Sequence, residues 1–243
     1  IPGLAAQILA LPYNPNNVSA DAAPVTIDLE LKVGLQLAAM VGFCADPSRD
    51  DCAFGHLTSG GTLANVQSLR LAMALKYVPV ALRAAGAPLE GLPEDDWTAF
   101  NLAPADGIAL LERWRAWSAA SSPSERLRWR ERIDRERVES LGLSAFFERH
   151  PTLSPPLVFA PSTAHYSWSK GVKMLGIGRD RLRLIPGRAM RLDIDALSEA
   201  LDDCVRTRRP VLMAVGVFGS TEFGTIDPLD ALADLRERMR ARG

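Results

Sequence analysis

Three short stretches hold the residue types from which a ligand site could be built: Ser59-Gly60-Gly61-Thr62, His165 and Ser220-Thr221. The first runs straight into a helical pattern. Its glycines permit close backbone approach, its free N–H groups and the helix dipole favour an anion, and its hydroxyls add donors. Phosphate is the ligand this chemistry suits, and a tight turn with a helix cap is the plain alternative. The Gly-Lys-Ser/Thr ending of a nucleotide-binding loop is missing, so the turn is not of that kind. Taken alone, His165 reads as a core histidine and Ser220-Thr221 as a helix cap. Their meaning depends on where the chain brings them.

Period and punctuation outline the elements that must position them. Leu11 to Asn17 is turn chemistry throughout, Asn14-Pro15-Asn16-Asn17 included. Ile27, Leu31 and Leu35 fall at helical spacing and predict a helix over 25–40, stopped by Gly42. A second helix follows the glycine turn, buries Val66, Leu69 and Met73, and closes at Tyr77 to Pro79. From about 80 to 152 the composition shifts to Ala, Arg, Glu and Trp, with breaks at 93–96 and 121–124; a helical insertion is expected there. Within it, residues 129–138 alternate in charge sign. They predict a solvated helix with i,i+4 ion pairs, because the interleaved acids argue against nucleic acid.

After Pro156 the pattern becomes regular. A strand at 157–160 precedes a helix from about Tyr166 to Gly176 and Gly178. Leu182 and Leu184 alternate in a second strand, and Asp193 caps a helix carrying Leu197, Leu201 and Val205. Residues 211–218 form a third, continuously apolar strand, and Pro228 opens a last helix. This alternation predicts an α/β fold with a mostly parallel sheet and helices on both faces. In such a sheet ligands bind beyond the carboxyl ends of the strands, where helix N-termini also point. His165 follows the first strand and Ser220-Thr221 the third, so both fall on that edge, and the glycine turn can join them there.

The totals narrow the class. With 243 residues, 47% of them apolar and 23% charged, the chain can bury a sizeable core as one large domain or two small ones. A net charge of −1 gives no global reason to expect nucleic acid or an anionic membrane as partner. No apolar run is long enough to span a bilayer, and no internal repeat is visible. Cys44, Cys52 and Cys204 form no Cys-x-x-Cys pair and the three histidines are scattered, so no metal site is expected. A reduced, cytoplasmic protein is the reading, with Cys44 and Cys52 unpaired rather than bridged. The start, Ile1-Pro2-Gly3-Leu4, has neither an initiator Met nor the basic end of a signal peptide.

From Gly55 to Asn65 the sequence reads Gly-His-Leu-Thr-Ser-Gly-Gly-Thr-Leu-Ala-Asn. It resembles the Thr-Ser-Gly-Gly-Ser/Thr-x-Ala-Asn signature of the pyridoxal-phosphate-dependent group II amino-acid decarboxylases. The match continues in order, with Pro24 and Glu30 upstream, His165-Tyr166-Ser167 with Lys170 and Gly176-Ile177-Gly178, and Asp193 to Leu197. It ends on Gly219 to Pro228. A narrower resemblance is to the bacterial tyrosine decarboxylases, through Leu75 to Pro79, Asn101-Leu102-Ala103-Pro104, His165 to Trp168 and the Asn14 to Val18 turn.

That resemblance implies the fold, cofactor and reaction. The fold would be a partial large domain of the aspartate-aminotransferase-like type, fold type I, covering 1–243 with the insertion at about 80–152. Ser59, Gly60, Gly61 and Thr62 would cradle the phosphate of pyridoxal 5'-phosphate. His165 would be catalytic, stacking on the pyridine ring, and Ser220 or Thr221 would lie near the ring or its substituents. The reaction would be decarboxylation of an aromatic L-amino acid, tyrosine to tyramine, by a homodimer with its active sites near the dimer interface. The chain departs from the family at two points: it contains neither the His-Val-Asp-Ala-Ala-like stretch with the pyridine's aspartate partner nor the Asp-x-His-Lys motif with the Schiff-base lysine. Lys170 and Lys173 lie elsewhere than that lysine, and Asp227, before Pro228, reads as a helix cap. The expectation is therefore a fragment of a longer enzyme, truncated at both ends, without the small C-terminal domain and inactive alone. The alternatives are a decarboxylase of glutamate or another amino acid, and a non-catalytic remnant.

Overall fold

The structure, a computed structural model, describes residues 1–13 and 16–242. Asn14 and Pro15 of the first predicted turn thus lie outside the described residues. The chain divides into two compact units, Ile1–Gly60 and Gly61–Gly243, and passes from one to the other inside the Ser-Gly-Gly-Thr turn.

The first unit contains α1 (Pro2–Ala10) and α2 (Thr26–Met40). Sequence punctuation gave no sign of α1, which has no buried residue and leaves Leu4, Ile8 and Leu9 exposed. The end of α2 follows the prediction: Gly42 adopts φ +82°, the left-handed conformation that stops a helix without Cβ strain.

The second unit opens with α3 (Gly61–Ala84), which runs past the predicted stop at Tyr77 to Pro79. Proline removes one N–H and crowds the carbonyl four residues back. Here Pro79, Val80, Ala81 and Leu82 are buried, and that burial holds the helix together through the defect. The helical region that follows therefore starts after Ala84. It consists of α4 (Asp96–Phe100), α5 (Pro104–Ala120), α6 (Pro123–Asp134) and α7 (Val138–Arg149). Both predicted breaks are helix starts. The Asp95 carboxylate accepts from Thr98 N at 2.9 Å, and Ser122 with Glu125 forms a capping box. The charged segment does not continue as one helix with i,i+4 pairs. It ends at Asp134, and Arg137 pairs with Asp134 at 3.7 Å and Glu139 at 2.9 Å across the break. Tyr77, Phe100 and Phe146 meet edge to face in the core, with Tyr77 centred 5.0 and 4.9 Å from the two phenylalanines. Beside them the Asp96 carboxylate accepts from Arg83 at 2.6 Å and meets His150 Nδ1 at 2.8 Å.

Lys76 on α3 gives this region a pH dependence. Its ammonium donates to the Phe100 carbonyl at 3.1 Å, and desolvation pushes its pKa down from 10.5 to about 8. The unfolded chain therefore binds this proton more tightly than the folded one, and stability rises as pH climbs from about 8 toward 10.5. Burial pushes Tyr77 up, so near pH 10 the unfolded chain starts to lose a tyrosine proton that the folded chain keeps, which opposes the rise. Denaturant titrations of wild type and Lys76→Met should diverge across this window by roughly 2 kcal/mol. Parallel profiles from pH 8 to 10 would contradict the assignment.

The sheet is built from β1 (Leu157–Pro161), β2 (Leu182–Ile185) and β5 (Val211–Ala214), in the order β2-β1-β5 with both pairings parallel. Between them in sequence come α8 (Ser167–Met174), the two-residue strands β3 (Gly187–Arg188) and β4 (Arg191–Leu192), and α9 (Ile194–Arg206); α10 (Leu229–Arg240) closes the chain. The central strand β1 is buried at all five positions, as a strand covered on both faces must be. Val158 and Ala160 pack with Leu69, Trp168 and Val172 on one face; Leu157 and Phe159 pack with Leu197, Cys204 and Leu235 on the other. Asp193 caps α9 as expected, accepting from Asp195 N and Ala196 N.

Two expectations need correction. The third strand ends at Ala214 rather than 218, because the chain turns away so that Val217 N donates to Asp227 Oδ2 at 2.7 Å and Phe218 pairs antiparallel with Ile226. Asp227 does not cap the last helix. Its buried carboxylate accepts from Val217 N and, at 2.7 Å, from Leu192 N, while α10 starts at Leu229 after Pro228, without a side-chain cap.

Candidate functional site

Gly61 is the first residue of α3, a helix of 24 residues with no acid in its first turn. Gly60 before it adopts φ +122°, and a Cβ on either glycine would meet nothing within 4 Å. The helix thus starts on a glycine at the positive end of a long dipole, with no acid in its own first turn to offset it. Asn65, on the same helix, donates to Ser167 Oγ at 2.8 Å. Gly171 lets α8 come so close to α3 that a Cβ there would lie 2.8 Å from Leu69 Cδ1. The second and third turns of α3 therefore lie along α8, whose first residues follow His165.

His165 stands in the loop between β1 and α8. Ser167 N donates to its Nδ1 at 3.2 Å, so the neutral ring carries its proton on Nε2. Tyr166 packs against the imidazole at 4.1 Å between centroids, and Lys170 sits 4.4 Å over the Tyr166 ring. His165 lines a cleft of about 680 Å³ together with Tyr166, Trp168, Arg183 and Glu222. Gly61, Thr62, Ser220 and Thr221 do not line that cleft. Trp168, a residue of the narrower resemblance, is 9% exposed and belongs to the core beneath the loop.

Ser220 and Thr221 separate clearly. Ser220 is buried, and its hydroxyl lies 2.9 Å from Thr225 Oγ1, which donates onward to the Met190 carbonyl at 2.7 Å. Since the Thr225 proton goes to Met190, Ser220 donates to Thr225 and accepts from Thr225 N at 3.2 Å. This hydroxyl is absorbed in locking the turn. The neighbouring Thr221 is exposed. The same chain of bonds holds the tip of the β3–β4 hairpin, where Ala189 and Met190 adopt φ +50° and +59°. Such turns ordinarily use Asn or Gly, so the sequence carries no signal for this one.

In the first unit, the segment leading to Ser59 and Gly60 lies along α2. Glu30 accepts from Leu57 N at 2.8 Å and from Asn17 Nδ2 at 2.6 Å, and these bonds hold its carboxyl below the usual range. Thr58 Oγ1 donates to the Gly60 carbonyl at 3.1 Å. Neither Asn65 nor Thr225 stands out by residue type; Asn65 merely closes the glycine signature and Thr225 lies within the last motif.

Among the described residues no group of His, Cys, Asp and Glu could hold a metal ion, and no helix is long and apolar enough to cross a membrane. Cys44, Cys52 and Cys204 are free thiols.

No protein-family model matches the chain. An L-tyrosine decarboxylase of Levilactobacillus brevis is 29% identical over 244 aligned residues, which take in 100% of this chain and 34% of that protein. The chain thus spans about a third of the length of that curated relative. Among solved structures, mouse CSAD superposes with a TM-score of 0.63 at 20% identity, over 98% of this chain and 35% of its own. Oryza sativa TDC with PLP and tryptamine gives 0.56 at 19% identity, over 97% and 36%. The fold is accordingly part of a fold type I domain, α/β with a parallel sheet, and the similarity to L-tyrosine decarboxylases runs the whole length of the chain.

Proposed function

We propose that this chain, a relative of the L-tyrosine decarboxylases within the group II pyridoxal-phosphate-dependent decarboxylases, is the cofactor-cradling part of a longer enzyme that decarboxylates an aromatic L-amino acid, tyrosine to tyramine. The observation that carries this reading is the acid-free start of α3, a helix whose Asn65 is bonded to Ser167 just after His165. The residues present fit pyridoxal phosphate: a dianion suits a helix that starts on glycine with no acid in its first turn, and a flat ring suits the imidazole.

When bound, the cofactor supplies an electron sink for the charge left as carbon dioxide departs. Binding and orientation fall to this chain. Ser59, Gly60, Gly61 and Thr62 hold the phosphate through backbone N–H groups and hydroxyls. His165, backed by Tyr166, would stack on the pyridine ring and would offer Nε2–H as a donor for the substrate carboxylate. Thr221 rather than Ser220 supplies the hydroxyl near the ring, because the Ser220 proton is already committed. The lysine that anchors the cofactor and the acid that pairs with the pyridine nitrogen belong, in this reading, to the longer protein.

The same reading makes the enzyme a cytoplasmic homodimer. Support comes from the exposed apolar side chains of α1 and α2, among them Leu4, Ile8, Leu37 and Met40, whose contact with water is unfavourable until a partner covers them. The test is carbon dioxide release by the full-length protein from tyrosine, glutamate and aspartate. Turnover of tyrosine is expected. Preference for glutamate would move the substrate class, and absence of both turnover and bound cofactor would leave a non-catalytic remnant.

A further inference from the structure

We infer that Glu30 is a positioning residue: with Gly34 it forms a clamp on one face of α2 that fixes the height of the Ser59-Gly60 half of the phosphate turn, an inference that rests on the cofactor reading. Glu30 and Gly34 are one helical turn apart and so share a face. Against that face lie residues 55–57, a segment without regular secondary structure. Two independent contacts seat it. Leu57 N donates to Glu30 Oε1 at 2.8 Å, and Gly55 lies so near the helix backbone that a Cβ on Gly34 would be 2.5 Å from its carbonyl oxygen. The second carboxylate oxygen takes Asn17 Nδ2 at 2.6 Å, and Asn17 Oδ1 in turn accepts from Thr26 Oγ1 at 2.6 Å. Glu30 is thus itself held from behind, so it acts as a fixed post rather than a swinging side chain. Charge-assisted bonds of this kind are short and directional.

Leu57 is two residues from Ser59. A segment pinned at 55 and 57 leaves little slack, so the clamp sets where Ser59 and Gly60 present their N–H groups. Loss of the clamp should be felt by the phosphate and not by the ring, whereas a merely structural role would weaken both alike.

The experiment compares binding of pyridoxal phosphate and of pyridoxal, which lacks the phosphate, by the full-length protein and its Glu30→Ala, Glu30→Gln and Gly34→Ala variants. Wild type is expected to prefer the phosphorylated form. Glu30→Ala should lose about tenfold or more in affinity for pyridoxal phosphate and little for pyridoxal, since a pre-organised anion site is disordered. Glu30→Gln, which keeps an acceptor for Leu57 N, should recover part of the loss. Gly34→Ala leaves the carboxylate intact and should act in the same direction by pushing the segment off the helix. Equal losses for both ligands, or none, would overturn the clamp. Wild type without preference for the phosphorylated form would overturn the cofactor reading instead. Hydrogen exchange of the Leu57 amide in the wild-type protein needs no variant to fold: slow exchange is expected, and rapid exchange refutes the clamp.

Discussion

Replacing His165 by alanine in the full-length enzyme should lower decarboxylation by about a hundredfold or more, as a misplaced reacting group does, with little change in Tm. The geometry sets the two effects apart. The ring stands in a loop at the carboxyl end of β1 and lines a cleft rather than the core, so its removal leaves no large cavity. What is lost is a flat surface, pre-set by the Ser167 N–H bond and backed by Tyr166. Steady-state kinetics with calorimetry on the same sample check it. A variant that turns over normally would remove His165 from the mechanism, and one that unfolds would make it a core residue.

Asp227→Ala should destabilise the fold by about 3–5 kcal/mol, a large effect for one side chain. The carboxylate is 4% exposed and satisfies two backbone donors, the buried Leu192 N and the half-buried Val217 N, which would both be left unpaired. Asp227→Asn keeps one acceptor and should cost about half as much. Loss of an ordinary helix cap would cost about 1 kcal/mol, so denaturant unfolding separates this tether from the cap that the sequence suggests. Thr225→Val probes the neighbouring lock, since it frees the Ser220 hydroxyl and the Met190 carbonyl together; a drop of about 1–3 kcal/mol is expected.

The parts of the fold that were legible in the sequence are those where one strong period meets one strong stop signal. The buried run Leu157 to Ala160, the Asp193 cap and the glycines after α2 and α8 each give a single local answer, and β1, α9, α2 and α8 follow. Errors arose where tertiary burial outweighs local chemistry. Pro79 reads as a stop, but the buried run through Leu82 keeps α3 going. Val215 and Val217 read as strand, but the long-range pull of Asp227 takes the chain out of the sheet. Contacts across long separations, such as His150 with Asp96, have no local signature at all. Of the candidate site, the sequence offers residue types only. That the Ser220 hydroxyl is bonded to Thr225 while Thr221 is exposed has no local signature, because it turns on which neighbour takes a proton.

The span of α3 has a consequence for how such a protein can change. At 1.5 Å per residue, its 24 residues make a rod about 36 Å long. The glycine turn occupies one end and Arg83, bound to Asp96, the other. Helices α4 to α7 gather around the far half, through Tyr77, Val80 and Leu82. Lengthening, trimming or recharging those helices therefore alters a surface several turns away from the glycine turn. The two ends of one helix can thus vary independently, so that solubility or assembly can change at one without disturbing the other.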